Sequence, residues 1–300
     1  MKYIGKPLQY STEEHKKISN FMSSVYSATN QLDDFPIARF EIWVYEHYSE
    51  NTNFYADNCH IWRNYNDEIV GIFISEDGEN GFHLINHPQN TEITEIMLSY
   101  LFNVWAKSKN ELWTDLSMFK EKEHELYKKY GIFRTESYAL TRYYDLGELT
   151  VMSEIPNNYY VESASKNLNP TKHTELIKNA FNKDFYTEQL YEKLRKSPNY
   201  ISDLDITVYS QSGVAISTCT GWVDSINNIA EIETVGTHSE YRHRGFARLA
   251  MNECLHQLKK KGCSKAYISS LNEITHKFYD SFPYKNRQIS YEYIWKKSTQ

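Results

Sequence analysis

The chain has 300 residues, 40% of them apolar and 24% charged, and a formal net charge of −6. That is the composition of one large or two ordinary globular domains. The acidic balance argues against a nucleic-acid protein, which would carry a basic face. No apolar run reaches the roughly 18 residues that a membrane span requires. The N-terminus, "MKYIGKPLQYSTEEH", lacks the apolar core of a secretion signal, so a cytoplasmic protein is expected. Cys59, Cys219, Cys254 and Cys263 form no close pair and no metal-ligand spacing, so they read as reduced thiols and no metal is expected.

Taken in chain order, "STEEHKKISNFMSSVY" reads as a helix opened by a serine or threonine cap. "CHIWRNYNDEIVGIFIS" reads as a hairpin turning over Asn66–Asp67. The segment Thr91 to Lys107 predicts a helix, with Ile93, Ile96, Met97, Tyr100, Leu101, Val104 and Trp105 on one face. Leu112 to Ser117 follows as a strand. The segment Gly147 to Pro170 mixes Gly, Pro, Asn and Ser around one short strand, Tyr159 to Ser163, and divides the chain. Beyond it lie two helices, "NPTKHTELIKNAF" and "TEQLYEKLRKS", and a hairpin over Gln211–Gly213. The strand "NIAEIETVGT", a long helix from Gly245, the strand "KAYISSL", a short helix "NEITHKFYDSF" and an extended run "NRQISYEYIWKK" complete the order. Ile93 and Ala247 begin equal registers of helix, turn and strand at an offset of 154 residues, which suggests an internal duplication. The expected fold class is α/β (α+β): two tandem domains, 1–150 and 158–300, each a mixed, mostly antiparallel sheet flanked by helices.

One stretch, "THSEYRHRGFARLAM", carries chemistry. Ala247, Ala250, Met251, Cys254, Leu255 and Leu258 form the buried face of a helix. Its start is ringed by Arg242, His243 and Arg244 and opened by Gly245, although helix starts favour acidic residues. The backbone N–H groups of a helix start bind anions, and a glycine lets the chain approach one closely. A solvated basic turn is the plain alternative. Arg242-His243-Arg244-Gly245-Phe246-Ala247 fits R/Q-x-x-G-x-G/A between a strand and a helix, and so resembles the pyrophosphate loop of the GNAT superfamily of acyl-CoA N-acyltransferases. "NEITHKFYDSFPY" is similar to that superfamily's N-x-x-A-x-x-x-Y-x-x-x-G-F segment: Asn272, Thr275, Tyr279 and Tyr284 take its positions and Pro283 replaces the glycine. The resemblance covers about Tyr159 to Lys297, and the first half more faintly.

The resemblance implies a tandem GNAT arrangement with a degenerate N-terminal copy and acetyl-CoA as cosubstrate. Backbone groups at Val235, Gly236 and Thr237 would meet the pantetheine and acetyl carbonyl. The N–H groups of Arg242, His243, Arg244, Gly245, Phe246 and Ala247 would hold the pyrophosphate, with Asn272 near the CoA arm. Tyr279 matches the tyrosine that protonates the leaving thiolate. Asn272 is also a natural helix cap, and Tyr279 could be plain packing. Glu231 and Glu233 alternate on one strand face and are base candidates, with Glu231 at the commonest family position and water as a third option. The acceptor implied is a small-molecule or peptide amine, with no nucleic acid and no membrane involved. A homodimer is left open. Two other readings stand beside the enzyme: an acyl-CoA-binding sensor without turnover, and aminoacyl transfer from charged tRNA. The last is weakened by the absence of a basic patch. In the first half, the shift of 154 puts Pro88, Thr91 and Ile93 where Arg242, Gly245 and Ala247 stand, and adds Glu92 and Glu95. That pattern suits a helix start without a phosphate.

Overall fold

The protein is described here from a computed structural model covering residues 2–46, 53–149, 154–167 and 169–297. Part of the predicted dividing segment, at 150–153 and 168, lies outside the described residues. The first half runs β1 (Ile4–Pro7), α1 (Thr12–Thr29), α2 (Ile37–Tyr45), α3 (Phe54–Asn58), β2 (Cys59–Arg63), β3 (Ile69–Ile74), β4 (His83–Asn86), α4 (Ile93–Tyr100), β5 (Glu111–Ser117), α5 (Glu121–Lys129) and β6 (Phe133–Asp145). The second runs β7 (Tyr159–Ser163), α6 (Pro170–Phe181), α7 (Glu188–Leu194), β8 (Asp205–Ser210), β9 (Ala215–Asp224), β10 (Ile229–Thr237), α8 (Phe246–Lys260), β11 (Lys265–Ser270), α9 (Glu273–Asp280) and β12 (Asn286–Lys296).

The capping chemistry follows the sequence. Ser11 Oγ accepts the Glu14 N–H at 3.1 Å to open α1, and Asn30 closes it in the left-handed conformation. The β2–β3 turn places Asp67 at φ 63° and the β8–β9 turn places Gly213 at φ 80°. The helix predicted over Thr91 to Lys107 departs from expectation. It becomes a π-turn over Leu101–Trp105, closed by the Ala106 N–H on the Leu101 carbonyl at 2.7 Å. Its buried face is centred on Ile93, Thr94, Met97, Leu98 and Leu101, so Ile96 is 42% and Val104 61% exposed rather than buried. The π-turn rotates Val104 out of that face.

Two sheets form: β1-β2-β3-β4, and an eight-stranded sheet in the order β5-β12-β6-β11-β10-β9-β8-β7. The order holds a feature absent from the sequence reading. β12, the last strand of the second half, pairs with β5 of the first, and β6, the last strand of the first, pairs with β11 of the second. β6 and β12 also pair with each other. Each half therefore lends its final strand to the other's sheet. One apolar core lies between α8 and the β6–β11 region, with Ala250, Met251, Cys254 and Leu258 fully buried, and others lie under α4 and around α1 and α2. All four cysteines are buried and free.

Candidate active site

β10 is the organising element. It pairs in parallel with β11 only over Ile229–Glu231, opposite Lys265–Tyr267. Its pairing with β9 slips between Ile232 and Val235, where one extra residue is accommodated as a bulge. Trp222 holds this bulge through an indole N–H donated to the Glu233 carbonyl. Beyond Glu231, β11 continues against β6 while β10 turns away, so the β11-facing edge of β10 from Ile232 to Thr237 has no partner strand among the described residues. A cleft of about 510 Å³ opens there, and Glu231, Glu233, Val235, Asn272 and Tyr279 all line it. Gly236 is required by packing: a β-carbon there would come within 2.6 Å of the Phe181 ring at the end of α6. Thr237 bonds Ser217, their hydroxyls 2.8 Å apart.

Past β10 the chain makes one short helical turn over Ser239–Tyr241 and enters α8. His243 lies at φ 61° and Gly245 at φ 85°, and both are exposed. A β-carbon on Gly245 would meet nothing within 4 Å, so the glycine serves the left-handed conformation and an open approach to the backbone, not internal packing. α8 has no side-chain cap and no acidic residue in its first turn. Among the described residues, no carbonyl or side chain accepts from the N–H groups of 243 to 248. An uncapped helix start behind two left-handed residues is a nest of free donors, fit for a phosphate group.

The arginines around the loop differ in what they touch. Arg242 does not reach toward a ligand with its side chain: its guanidinium donates to the Thr237 carbonyl at 3.3 Å and to the Ala180 carbonyl at 2.9 Å, tying the loop to the end of α6. Arg244 lies over the Tyr241 ring at 5.5 Å. Arg248, which the motif does not include, sits in the first turn of α8 over Phe282 and donates to Ser281 Oγ at 2.5 Å. Phe246 is buried in the core and anchors the helix start, and Ala247 is half-buried.

Tyr279 projects from α9 into the cleft and is 7% exposed. Its hydroxyl bonds no group among the described residues. Burial, and after it the charge of Glu233, holds that hydroxyl protonated well above the ordinary tyrosine range. Asn272 caps α9, its Oδ1 accepting the N–H groups of Ile274 and Thr275 at 3.1 and 3.0 Å. The strand lent by the first half fixes α9. The fully buried Arg142 of β6 donates to Asp280 at 2.5 Å and to the His276 carbonyl at 3.3 Å, and the Tyr144 hydroxyl donates to the Tyr279 carbonyl at 3.1 Å.

The two glutamates also separate. Glu231 Oε2 accepts the Ala38 N–H at 3.2 Å and so caps α2 from across the domain boundary, where Pro36 offers no side-chain cap. Burial, and then the neighbouring Glu233, pushes its carboxyl up to about 8. The Glu233 carboxylate is exposed within the cleft and makes no hydrogen bond or ion pair among the described residues. Withdrawal from bulk solvent raises its carboxyl despite Arg39 and Lys183. Arg39, from α2, lines the same cleft but is engaged by Glu76 in a two-point pair at 2.7 and 2.6 Å.

Residues 172–282, which hold β10, the Gly245 loop and Tyr279, match a family model described as Acetyltransferase (GNAT) family. That segment of the chain is therefore a GNAT-family domain. No curated protein matches it in sequence. Solved structures share its fold along nearly the whole length. A tandem GNAT protein from the clavulanic acid biosynthesis pathway superposes with a TM-score of 0.68 at 11% identity, covering 99% of each chain. A GCN5-related N-acetyltransferase from Sphaerobacter thermophilus gives 0.64 at 13% identity, covering 99% of this chain and 97% of the other. An acetyltransferase of the GNAT family from Colwellia psychrerythraea gives 0.58 at 11% identity, covering 97% and 99%. Over its whole length the chain therefore has the fold of these structures.

The first half has a corresponding splay. Just before β4, Gly81 forms a single parallel bridge to Trp113 of β5, and a cavity of about 480 Å³ opens beyond it. Its contents differ. Lys120 fills it from one side, paired with Asp33 at 2.9 Å and Asp34 at 3.7 Å. At the start of α4, Glu92 takes the place of the open glycine loop and accepts the Tyr3 hydroxyl at 2.7 Å. No helix is long and apolar enough to cross a membrane, and no group of His, Cys, Asp or Glu could hold a metal, both among the described residues.

Proposed function

We propose that this GNAT protein is an N-acetyltransferase that moves an acetyl group from acetyl-CoA to a primary amine within a ternary complex. One observation carries the reading: the free edge of β10 leads from Glu233 and Tyr279 in the cleft to an uncapped, glycine-opened helix start. The N–H groups of 243 to 248 would hold the pyrophosphate, with Arg244 and Arg248 adding charge. Backbone groups from Val235 to Thr237 would meet the thioester arm and hold negative charge developing on the acetyl oxygen.

Glu233 is the better placed base, because it is free whereas Glu231 spends an oxygen on α2. A protonated amine gives its first proton to Glu233. The nitrogen lone pair then forms the C–N bond as the acetyl C–S bond breaks. Tyr279 donates its proton to the departing sulfur and is restored by the second proton leaving nitrogen. The balance is one amide, one thiol and one proton released. In this reading residues 158–300 carry the centre, completed by β6, and residues 1–150 are a degenerate copy without a cofactor site. Lys120, Asp33 and Glu92 support that assignment. The test is CoA release from acetyl-CoA across a panel of primary amines. Amine-dependent release supports the enzyme; saturable acetyl-CoA binding without release from any amine would replace it with the sensor reading.

A further inference from the structure

The cleft extends beyond the splay, and its floor is the face of the shared sheet. Register places that floor residue by residue. Glu231 on β10 lies beside Tyr267 on β11, and Tyr267 beside Tyr143 on β6. Two residues along each strand, on the same face, Ser269 lies beside Thr141, their hydroxyls 2.8 Å apart. Ala139 lies beside Ser290 on β12, Ser290 beside Ser117 on β5, and Asp115, two residues from Ser117, again on this face. Asp115 and Glu233 both line the one cavity. Four strand steps separate β10 from β5, and at about 4.8 Å per step the floor runs roughly 19 Å across the sheet.

The charges along this floor are unbalanced. Among the described residues Arg39 is the one cation lining the cavity, and Glu76 occupies it. Asp34 is satisfied by the Ser117 N–H at 2.9 Å and the Ser290 hydroxyl at 2.5 Å, with Lys120 behind it. Asp115 is different. It is half-buried and has no hydrogen-bond or ion-pair partner for its carboxylate among the described residues. Burial, and then the charge of Asp34, pushes it up to about 6. A half-buried carboxylate without a partner is costly, and a bound cation removes that cost. Glu233 stands unpartnered at the other end.

We infer that the acceptor is an elongated amine with a second cationic group, and that Asp115 of the N-terminal half binds that group while the reacting nitrogen sits at Glu233. The inference rests on the acetyltransferase reading and specifies its substrate class: an aliphatic polyamine-like chain lying along the Ser269, Thr141 and Ser290 floor. It gives the N-terminal half a part in choosing the acceptor through Asp115 of β5 and in building the floor through β6.

The experiment compares spermine and long α,ω-diamines with short diamines and with monoamines of matched length, for the wild-type chain, Asp115→Asn and Asp115→Glu. The long polyamines should have the highest kcat/KM. Asp115→Asn should lower that value roughly 10-fold through KM, leave monoamines within about 2-fold, and leave the melting temperature in place. Asp115→Glu should recover part of the loss. Calorimetric binding of spermine without acetyl-CoA should weaken by a similar factor in Asp115→Asn. That readout separates the two claims: if no amine is acetylated but spermine binding still depends on Asp115, the acetyltransferase reading fails and the cation site stands. Equal rates for mono- and polyamines, or equal losses for both in Asp115→Asn, would overturn the inference.

Discussion

Two helix starts sit at equivalent places in the two halves, and their contrast underlies the proposal that one half carries the chemistry. α8 begins with Gly245 at φ 85°, no side-chain cap and no acid in its first turn. α4 begins after Pro88 and Thr91, with Glu92 anchored by Lys2 and Tyr3 and with Glu95 in its first turn. Both helices leave N–H groups unsatisfied by their own turns. Neither start has a side-chain cap bond, but the first half places its own carboxylates there, whereas the second has no acid in its first turn and arginines nearby. The splays differ in the same sense. Lys120 and Asp33 meet in the first cavity, whereas Glu233 and Tyr279 face the second without partners. On the proposed reading, one half is a closed copy and the other an open site.

The sharpest way to break this comparison is Gly245→Trp. A side chain here costs left-handed strain of about 1–2 kcal/mol and blocks the open approach. Acetyl-CoA affinity should fall by more than roughly 100-fold in calorimetry, with the fold retained by circular dichroism. Unchanged affinity would remove the distinction between the two helix starts. Next in size is Tyr279→Phe, which should lower kcat by roughly 10²-fold while leaving acetyl-CoA affinity within about 2-fold. Because burial keeps the Tyr279 hydroxyl protonated, the wild-type rate should show no tyrosine titration below its raised range. An equally fast variant would make Tyr279 a packing residue.

Glu231→Gln sharpens the role of the carboxylate that caps α2. The folded-state carboxyl is raised to about 8, so folding favours its protonated form. Wild-type stability from this group is therefore full below the ordinary glutamate range and is lost as pH rises through about 8. Glutamine keeps an acceptor for the Ala38 N–H and does not titrate. The variant should melt with the parent near pH 4 and several degrees above it near pH 9. A gap that closes with rising pH would contradict the assignment. The smallest effect belongs to the closed copy: Thr91→Trp should leave acetyl-CoA affinity and turnover within about 2-fold. A loss matching that of Gly245→Trp would mean that the first half also binds the ligand.

Much of this was legible because it is local. The Gly245 loop, the caps at Ser11 and Asn272, both hairpin turns and the strand of Glu231 and Glu233 depend on neighbours in sequence. What was not legible depends on strand pairing. Nothing in "NRQISYEYIWKK" says that it joins β5, and nothing in Arg142 or Tyr144 says that a strand of the first half will hold the helix of Tyr279. Asp115 and Arg39 face the cleft only because the halves share one sheet and α2 packs across it. Arg248 was within reach, since it lies in the first turn of the helix already singled out. The engagement of the Arg242 guanidinium was not legible, because its partners, Ala180 and Thr237, lie on elements whose packing the motif does not specify. Val104 was placed on the buried face because a π-turn leaves no clear trace in an apolar pattern, whereas Ile96, in the regular helix before it, is 42% exposed beside that face.

Calorimetric titration of the full chain with acetyl-CoA tests the central contrast most directly. One open site and one closed copy require saturation at one equivalent per chain, with that binding abolished by Gly245→Trp. Saturation at two equivalents, or one equivalent retained when Gly245 is replaced, would contradict it.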